Sequence, residues 1–317
     1  MMRFIEDLKN ELLKRKMNQN DIDDIIKDHE EMIQEALREG LSEEDIATRF
    51  GDPKTLAKEL AAECPKEEER VMHEDFQLWK SLSVTGKEIN IFINLVSEDL
   101  IIQSSEDDQA HLFYKGKADI ENYVFQISGD ELKLEAPKSK GLIFMRSTKD
   151  DLDFILELPK DIKINEWKHQ SVSSDVQFNF LEAQNVKLST TSGDIDIMCG
   201  SAKNMKLNTV SGDIQCSKMH VDDVDLSMVS GDVSINQSMI KGKFYSNTVS
   251  GDLKFEDTVA QNAEFRAVSG DVKGTEFYPK TVTFKSVSGD LIIRNKEKTN
   301  ITSLSSSSLS GEVSIKP

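Results

Sequence analysis

Carboxylates at a fixed interval are the first chemistry this sequence offers. Asp175, Asp194, Asp213, Asp232, Asp252, Asp271, Asp290 and Glu312 follow one another at steps of 19, 19, 19, 20, 19, 19 and 22 residues. Most close one phrase: a β-branched residue, Ser-Gly-Asp, then an apolar residue, as in Val210-Ser211-Gly212-Asp213-Ile214. The complete copies place glycines at Gly193, Gly212, Gly231, Gly251, Gly270 and Gly289. Imperfect copies flank them, with Ser174 in the glycine position before Asp175 and Gly311 preceding Glu312. Stacked at equivalent positions, the carboxylates would stand about 5 Å apart and repel by about 1 kcal/mol per neighbour even in water. Two arrangements compensate such a line. Cations can bridge the carboxylates, making Asp194, Asp213, Asp232, Asp252, Asp271 and Asp290 a candidate calcium ladder, or the carboxylates can accept hydrogen bonds from corner N–H groups. Calcium takes about six to eight oxygens, and one carboxylate per period is thin, so capping is the favoured reading. Ser and Asp then serve turn N–H groups, and Gly193, Gly212, Gly231, Gly251, Gly270, Gly289 and Gly311 supply positive φ. On that reading Ser174 marks a distorted first turn.

Other chemistry is sparse. His29, His73, His111, His169 and His220 form no HExxH and no paired-histidine spacing, and there is no Walker loop, GxGxxG or nucleophile elbow. Each reads as a surface or packing residue. Cys64, Cys199 and Cys216 make no CxxC pair, so neither a zinc site nor a disulfide framework is indicated and free thiols are expected. A carbohydrate-active site on a β-helix would need clustered Asp beside Arg or Lys, and the acidic column meets half of that. The sequence reads as non-enzymatic, with no catalytic residue and no cofactor.

The elements that would position the carboxylates follow from periodicity. Aligned on the acidic residue, Val186, Met205, Val224, Phe244, Ala263 and Val282 form one apolar column. Leu188, Leu207, Leu226, Ser246, Phe265 and Phe284 form the next, two residues on. After the corner come Ile195, Ile214, Val233, Leu253, Val272 and Leu291, then Ile197, Cys216, Ile235, Phe255, Gly274 and Ile293. Spacing of two is the strand signature, and two strands with two corners fit a 19-residue rung. A four-stranded propeller blade needs about 40 residues, and the leucine-rich pattern is missing. The fold expected is therefore mainly β, a parallel β-solenoid of about 19-residue rungs, with regular repeats over 166–317 and irregular rungs or a β cap over 83–165.

Residues 1–64 read as a small all-α domain. Phe4, Ile5, Leu8, Leu12 and Leu13 share one helical face, and Ile22, Ile25, Ile26, Ile33 and Ala36 another. A short helix is expected over Ser42–Phe50, and Asp52-Pro53 caps a last one through Leu60. Residues 65–82 read as a charged linker whose Phe76, Leu78 and Trp79 dock on the next domain.

The helical stretch resembles the HAAS-type signalling domains of Gram-positive bacteria, through its acidic second helix and Phe50-Gly51-Asp52-Pro53-Lys54-Thr55-Leu56-Ala57. From about Ser83 to Pro317 the chain resembles the bacterial "putative adhesin" family of unknown function, through its in-phase Val-Ser-Gly-Asp-Ile/Leu phrases and Leu158-Pro159-Lys160-Asp161-Ile162-Lys163-Ile164. The combination resembles Lia-type cell-envelope stress proteins of Gram-positive bacteria. That resemblance implies a non-catalytic role, with the helical domain engaging a protein partner from signalling or the envelope and the solenoid as rigid scaffold.

Charge and hydropathy bound the setting. A formal net charge of -18 argues against unaided binding to nucleic acid or anionic lipid. The charged start lacks a signal peptide's apolar run, and no window reaches about 18 apolar residues. The expectation is a cytoplasmic protein with peripheral membrane contact open to it. The alternatives are a surface adhesin exported without a visible signal, or a module binding cationic peptides.

Overall fold

The computed structural model describes residues 2–14, 19–38, 51–61, 74–137, 152–296 and 301–316. The chain divides into two units at Glu67/Glu68. In the first, α1 (Met2–Lys14), α2 (Gln19–Arg38) and α3 (Pro53–Ala61) pack apolar faces together. Leu8 and Leu12 meet Ile22, Ile26, Ala57 and Leu60, while Ile33 and Ala36 pack with Phe4 and Ile5. Asp52 starts α3: its Oδ2 accepts from Thr55 N–H at 3.1 Å, satisfying a donor that the first helical turn leaves open. The helix expected over Ser42–Phe50 lies outside the described residues.

The second unit is built from strands, in chain order β1 (Gln77–Ser83), β2 (Glu88–Asn94), β3 (Asp99–Ser104), β4 (Gln109–Gly116), β5 (Val124–Ser128), β6 (Glu131–Glu135) and β7 (Leu152–Leu158). There follow β8 (Lys163–Gln170), β9 (Val176–Phe178), β10 (Leu181–Thr190), β11 (Ile195–Ile197), β12 (Gly200–Thr209), β13 (Ile214–Ser217), β14 (Met219–Met228), β15 (Val233–Asn236) and β16 (Met239–Thr248). β17 (Leu253–Ser269) and β18 (Val272–Ser288) each run through a corner, before β19 (Leu291–Arg294), β20 (Ser303–Ser310) and β21 (Val313–Lys316). From β8 onward, long and short strands alternate, and each pairs in parallel with its counterpart in the next rung. The expected solenoid is thus present. Val186, Met205, Val224, Phe244, Ala263 and Val282 are direct register partners, as are Ile195, Ile214, Val233, Leu253, Val272 and Leu291.

The interior is a stack of side chains between the two sheets. Phe244, Phe255, Phe265 and Phe277 cluster, with Phe255 and Phe277 stacked at 4.4 Å between ring centroids. Gly274 occupies an inward column because a Cβ there would stand 2.8 Å from that of Phe277. A small residue in one rung thus makes room for a ring from the next column.

The irregular region is both rungs and cap. β2 and β3 make a rung directly beneath β8 and β9, with Leu100 paired to Val176, 76 residues later in the chain. That intervening chain places β6 under β2 and β7 under β3, both parallel. Antiparallel strands close the base: β5 on β6, β4 on β7, and β1, from ahead of β2 in the chain, on β4. The antiparallel layers end the parallel stack on this side, with β1 and β5 as its outer strands among the described residues. β1 falls within the stretch read as a linker, and Trp79 packs partly buried against Phe125 with ring centroids 6.3 Å apart.

The Ser-Gly-Asp corner as candidate functional site

At each corner the long strand turns into the short one, and the acidic residue lands one rung above its predecessor. The backbone N–H of Asp194 donates to Asp175 Oδ1 at 2.8 Å, that of Asp213 to Asp194 at 2.8 Å and that of Asp232 to Asp213 at 2.8 Å. Asp252, Asp271 and Asp290 continue onto Asp232, Asp252 and Asp271 at 2.9, 3.0 and 3.0 Å. Glu312 N–H closes the ladder on Asp290 at 2.7 Å. One carboxylate oxygen of each Asp below the top is thereby occupied by a charge-assisted bond, which offsets the repulsion along the line. The second oxygen meets lysines higher in the stack: Lys254 lies 3.6 Å from Asp232, and Lys273 lies 2.9 Å from Asp252 and 3.0 Å from Asp271. Burial pushes the Asp252 carboxyl up, but the Asp271 N–H and Lys273 outweigh it and hold its pKa below the usual value. Among the described residues no three His, Cys, Asp or Glu side chains converge as metal ligands.

The ladder starts lower than the sequence reading placed it. Asp175 N–H donates to Asp99 Oδ1 at 2.9 Å, and Asp99 closes the phrase Val96-Ser97-Glu98-Asp99-Leu100. This copy departs from the pattern, because Glu98 replaces glycine and the next rung comes 76 residues later. The buried Glu98 carboxylate takes N–H groups of Val96 at 2.6 Å and Ser97 at 3.1 Å, and Tyr123 Oη–H at 2.5 Å. Burial alone would raise its pKa, but these donors hold it below the ordinary value. Ser174 is fully buried and donates its hydroxyl to the Glu98 carbonyl, so this rung is adapted to its neighbour.

The reason for glycine needs correction. Positive φ occurs at Gly231, Gly251, Gly270 and Gly289, at +120°, +127°, +129° and +157°, but is not what Gly193, Gly212 and Gly311 have in common with them. All seven share a steric demand. A Cβ on Gly212 would sit 2.0 Å from the Gly193 carbonyl oxygen, on Gly251 1.8 Å from that of Gly231, and on Gly311 2.1 Å from that of Gly289. The corner stacks backbone directly on backbone, which only glycine permits. Serine also differs from expectation: Ser192 and Ser211 hydroxyls donate to the Val172 and Thr191 carbonyls at 3.3 and 3.4 Å. The turn N–H of Gly193 goes to Thr190 Oγ1 at 3.0 Å and that of Gly212 to Thr209 Oγ1 at 2.9 Å. The first residue of the phrase points outward, leaving Val172, Val210, Val229, Val249, Val268 and Val287 half-exposed beside the ladder.

Away from the corner, three groups merit chemical scrutiny. Ser81 on β1 and His111 on β4 are cross-strand partners, with Ser81 Oγ 2.8 Å from His111 Nδ1 and Asp107 Oδ1 2.9 Å from His111 Nε2. This trio has the hydrogen-bond order of a hydrolase relay, yet acyl transfer also requires a cleft and donors for a developing oxyanion. Neither described cavity contains it. A groove of about 600 Å³ on the outer face of the long strands is lined by Lys187, Lys206, Asp225, Lys243 and Tyr245. Its charges are largely paired, Lys206 with Asp225 at 2.8 Å and Lys243 with Glu264 at 2.7 Å. Cys216 is a buried free thiol whose pKa is pushed up to about 12, first by burial and then by Asp196. Cys216 is free, so it is not joined to Cys199.

A capped stack of parallel rungs whose repeated polar phrase closes its own corners defines a β-solenoid repeat protein. Residues 89–316 match the family described as Toastrack DUF4097, and the chain belongs to that family. Residues 3–59 match HAAS. Among solved structures, a "putative lipid binding protein" from Parabacteroides distasonis aligns with TM-score 0.51 and 16% identity over 76% of this chain and 97% of that one. A "putative adhesin" from Bacteroides fragilis aligns with TM-score 0.39 and 14% identity, over 77% and 97% of the two chains. A "putative cell adhesion protein" from Clostridium sporogenes gives 0.30 and 13%, over 76% and 98%. At these identities the likeness concerns fold. No curated protein matches the chain.

Proposed function

We propose that this chain is a non-enzymatic interaction protein of bacterial cell-envelope stress signalling, in which the helical unit engages a protein partner and the solenoid is a rigid scaffold. The observation that carries the reading is the ladder itself. The one polar motif repeated often enough to be a functional site has its Oδ1 atoms and glycines committed to holding rung on rung. What remains for recognition is surface, and α2 presents a charged one, with Asp28, Glu30, Glu31 and Met32 exposed. Among the described residues no helix is long and apolar enough to cross a membrane.

Crosslinking in cells followed by purification of the full-length chain tests this reading. A Glu30→Lys/Glu31→Lys variant is expected to lose a signalling or envelope protein that a Lys187→Glu variant on the solenoid retains. Equal recovery with both variants would refute the helical unit as the docking element. The second reading, a surface adhesin, predicts that protease added to intact cells degrades the chain.

A further inference from the structure

The two ends of the solenoid differ. At the base, β1, β4 and β5 cover the parallel rungs with antiparallel strands. At the other end, where the family match stops at residue 316, β20 pairs only with β18 and β21 only with β19 among the described residues. We propose that this end is a self-association surface on which a second copy of the chain docks edge to edge, continuing both sheets across a two-fold axis.

The backbone shows which groups are available. Thr302 N–H donates to the Lys280 carbonyl at 2.8 Å, and the Ser310 carbonyl accepts from Gly289 N–H at 3.2 Å. Along a strand, successive residues direct their backbone groups to opposite sides. Even-numbered residues of β20 thus face β18, and Ser303, Ser305, Ser307 and Leu309 direct N–H and C=O outward. In β21 the Glu312 and Lys316 carbonyls accept from Leu291 and Asn295 at 2.9 and 3.0 Å, which turns Val313 and Ile315 outward. An antiparallel mate placed about Ser306 sets Ser305 opposite Ser307 of the second copy, an arrangement that exchanges two hydrogen bonds per opposed pair.

Chemistry at this edge favours an identical mate. Soluble proteins protect open edges with lysines, prolines, bulges or short strands, and β20 reads Ser-Leu-Ser-Ser-Ser-Ser-Leu-Ser with none of the first two. In a chain of net charge -18, the last rung carries only Glu312 and Lys316. An axis at Ser314 brings Glu312 of one copy against Lys316 of the other, so like-charge repulsion is replaced by attraction where the ends meet. Leu304 stands in the same column as buried Val282 yet is 48% exposed, and Leu309 is 86% exposed. A second copy covers both. Such an interface is isologous and closes after two chains, because each end can be used once.

Light scattering coupled to gel filtration tests the proposal on the full-length chain. The expected result is a concentration-dependent species at twice the 35.7 kDa chain mass. Ser305→Pro removes an outward N–H and spares the bonds to β18. Ser305→Asp/Ser307→Asp keeps every backbone group but sets carboxylates of the two copies face to face. Both variants should give only the single-chain mass, with circular dichroism and melting temperature showing an intact solenoid. The proposal is overturned by a monomer at all concentrations up to about 100 μM, beyond which association is too weak to matter. It is equally overturned by a dimer that the folded Ser305→Asp/Ser307→Asp variant leaves unchanged, which would place the interface elsewhere.

Discussion

Lowering the pH should weaken the solenoid through one residue, His169. Its ring is fully buried, with neither nitrogen hydrogen-bonded, in the column between Ile93 of β2 and Leu188 of β10. Burial lowers its pKa from 6.5 to about 4, because charging the ring there forfeits hydration with no partner in return. The folded state thus binds this proton more weakly than the unfolded chain does. Stability is undiminished above pH 6.5 and is lost progressively as pH falls towards the folded value. The linkage amounts to about 1.4 kcal/mol at about pH 5.5, about 2.6 at about pH 4.5 and about 3.4 when complete. Glu98 and Asp252, both held below their ordinary pKa values, add stability that is lost only below their unfolded values of 4.5 and 3.8. The window from about pH 6.5 to 5 therefore isolates the histidine. The two tryptophans, Trp79 and Trp167, both lie in the solenoid, so denaturation followed by tryptophan fluorescence reports that unit alone. His169→Leu completes the apolar column and should flatten the denaturation midpoint across this window while leaving it higher at pH 5. An unchanged slope in the leucine variant would refute the burial argument.

The corner geometry yields further expectations. Gly212→Ala must lift one rung off another and disturb the bonds of Ser211, Gly212 and Asp213 N–H, a loss of about 3 kcal/mol at about 1 per bond, measurable by denaturant titration. Asp213→Asn retains an acceptor for Asp232 N–H and removes a charge from the line, so it should cost less than about 0.5 kcal/mol, whereas Asp213→Ala costs about 1 to 2. Millimolar calcium should leave the melting temperature of the unsubstituted chain unmoved, and a rise abolished by Asp213→Asn would revive the cation ladder. Lys218 holds φ at 50° at the opposite corner, and Lys218→Asn, whose residue visits that region readily, should stabilise by up to about 1 kcal/mol in thermal melts. Ser81→Ala should leave hydrolysis of an activated ester at the rate of the unsubstituted chain; a drop to background would make the Ser81, His111 and Asp107 relay catalytic.

What the sequence disclosed and what it hid divide along a physical line. Columns such as Val186, Met205 and Val224 were legible because a fixed period plus alternation determines which side chains stack and face inward. The base was not, since β6 and β7 precede β8 in sequence yet lie beneath β2 and β3, and no local pattern records that reversal. Asp99 was missed for the same reason, its partner Asp175 being displaced by the intervening strands. The inward aim of His169 was available: a 19-residue step brings it onto Leu188. Stacking distances of about 2 Å at a missing Cβ leave no trace in composition, so the glycine column was read as turn geometry. Ser81, His111 and Asp107 meet only through antiparallel pairing in the cap, which irregular spacing conceals.

The ladder also has a direction. From Asp175 to Glu312, the N–H of each acidic residue in the ladder reaches back to a carboxylate already laid down by an earlier part of the chain. On a ribosome, the capped base is complete once Leu158 has emerged. Each later segment of about 19 residues then finds its template finished before it appears. The base must bring together distant residues such as Leu100 and Phe154, and the rungs only their neighbours. Vectorial synthesis and vectorial bonding run the same way, so the slow event comes first and elongation follows like a ratchet, one notch per corner. Whole periods can then be gained or lost between the base and the last rung without redesigning either, which makes the height of the stack a quantity that inheritance can adjust in steps.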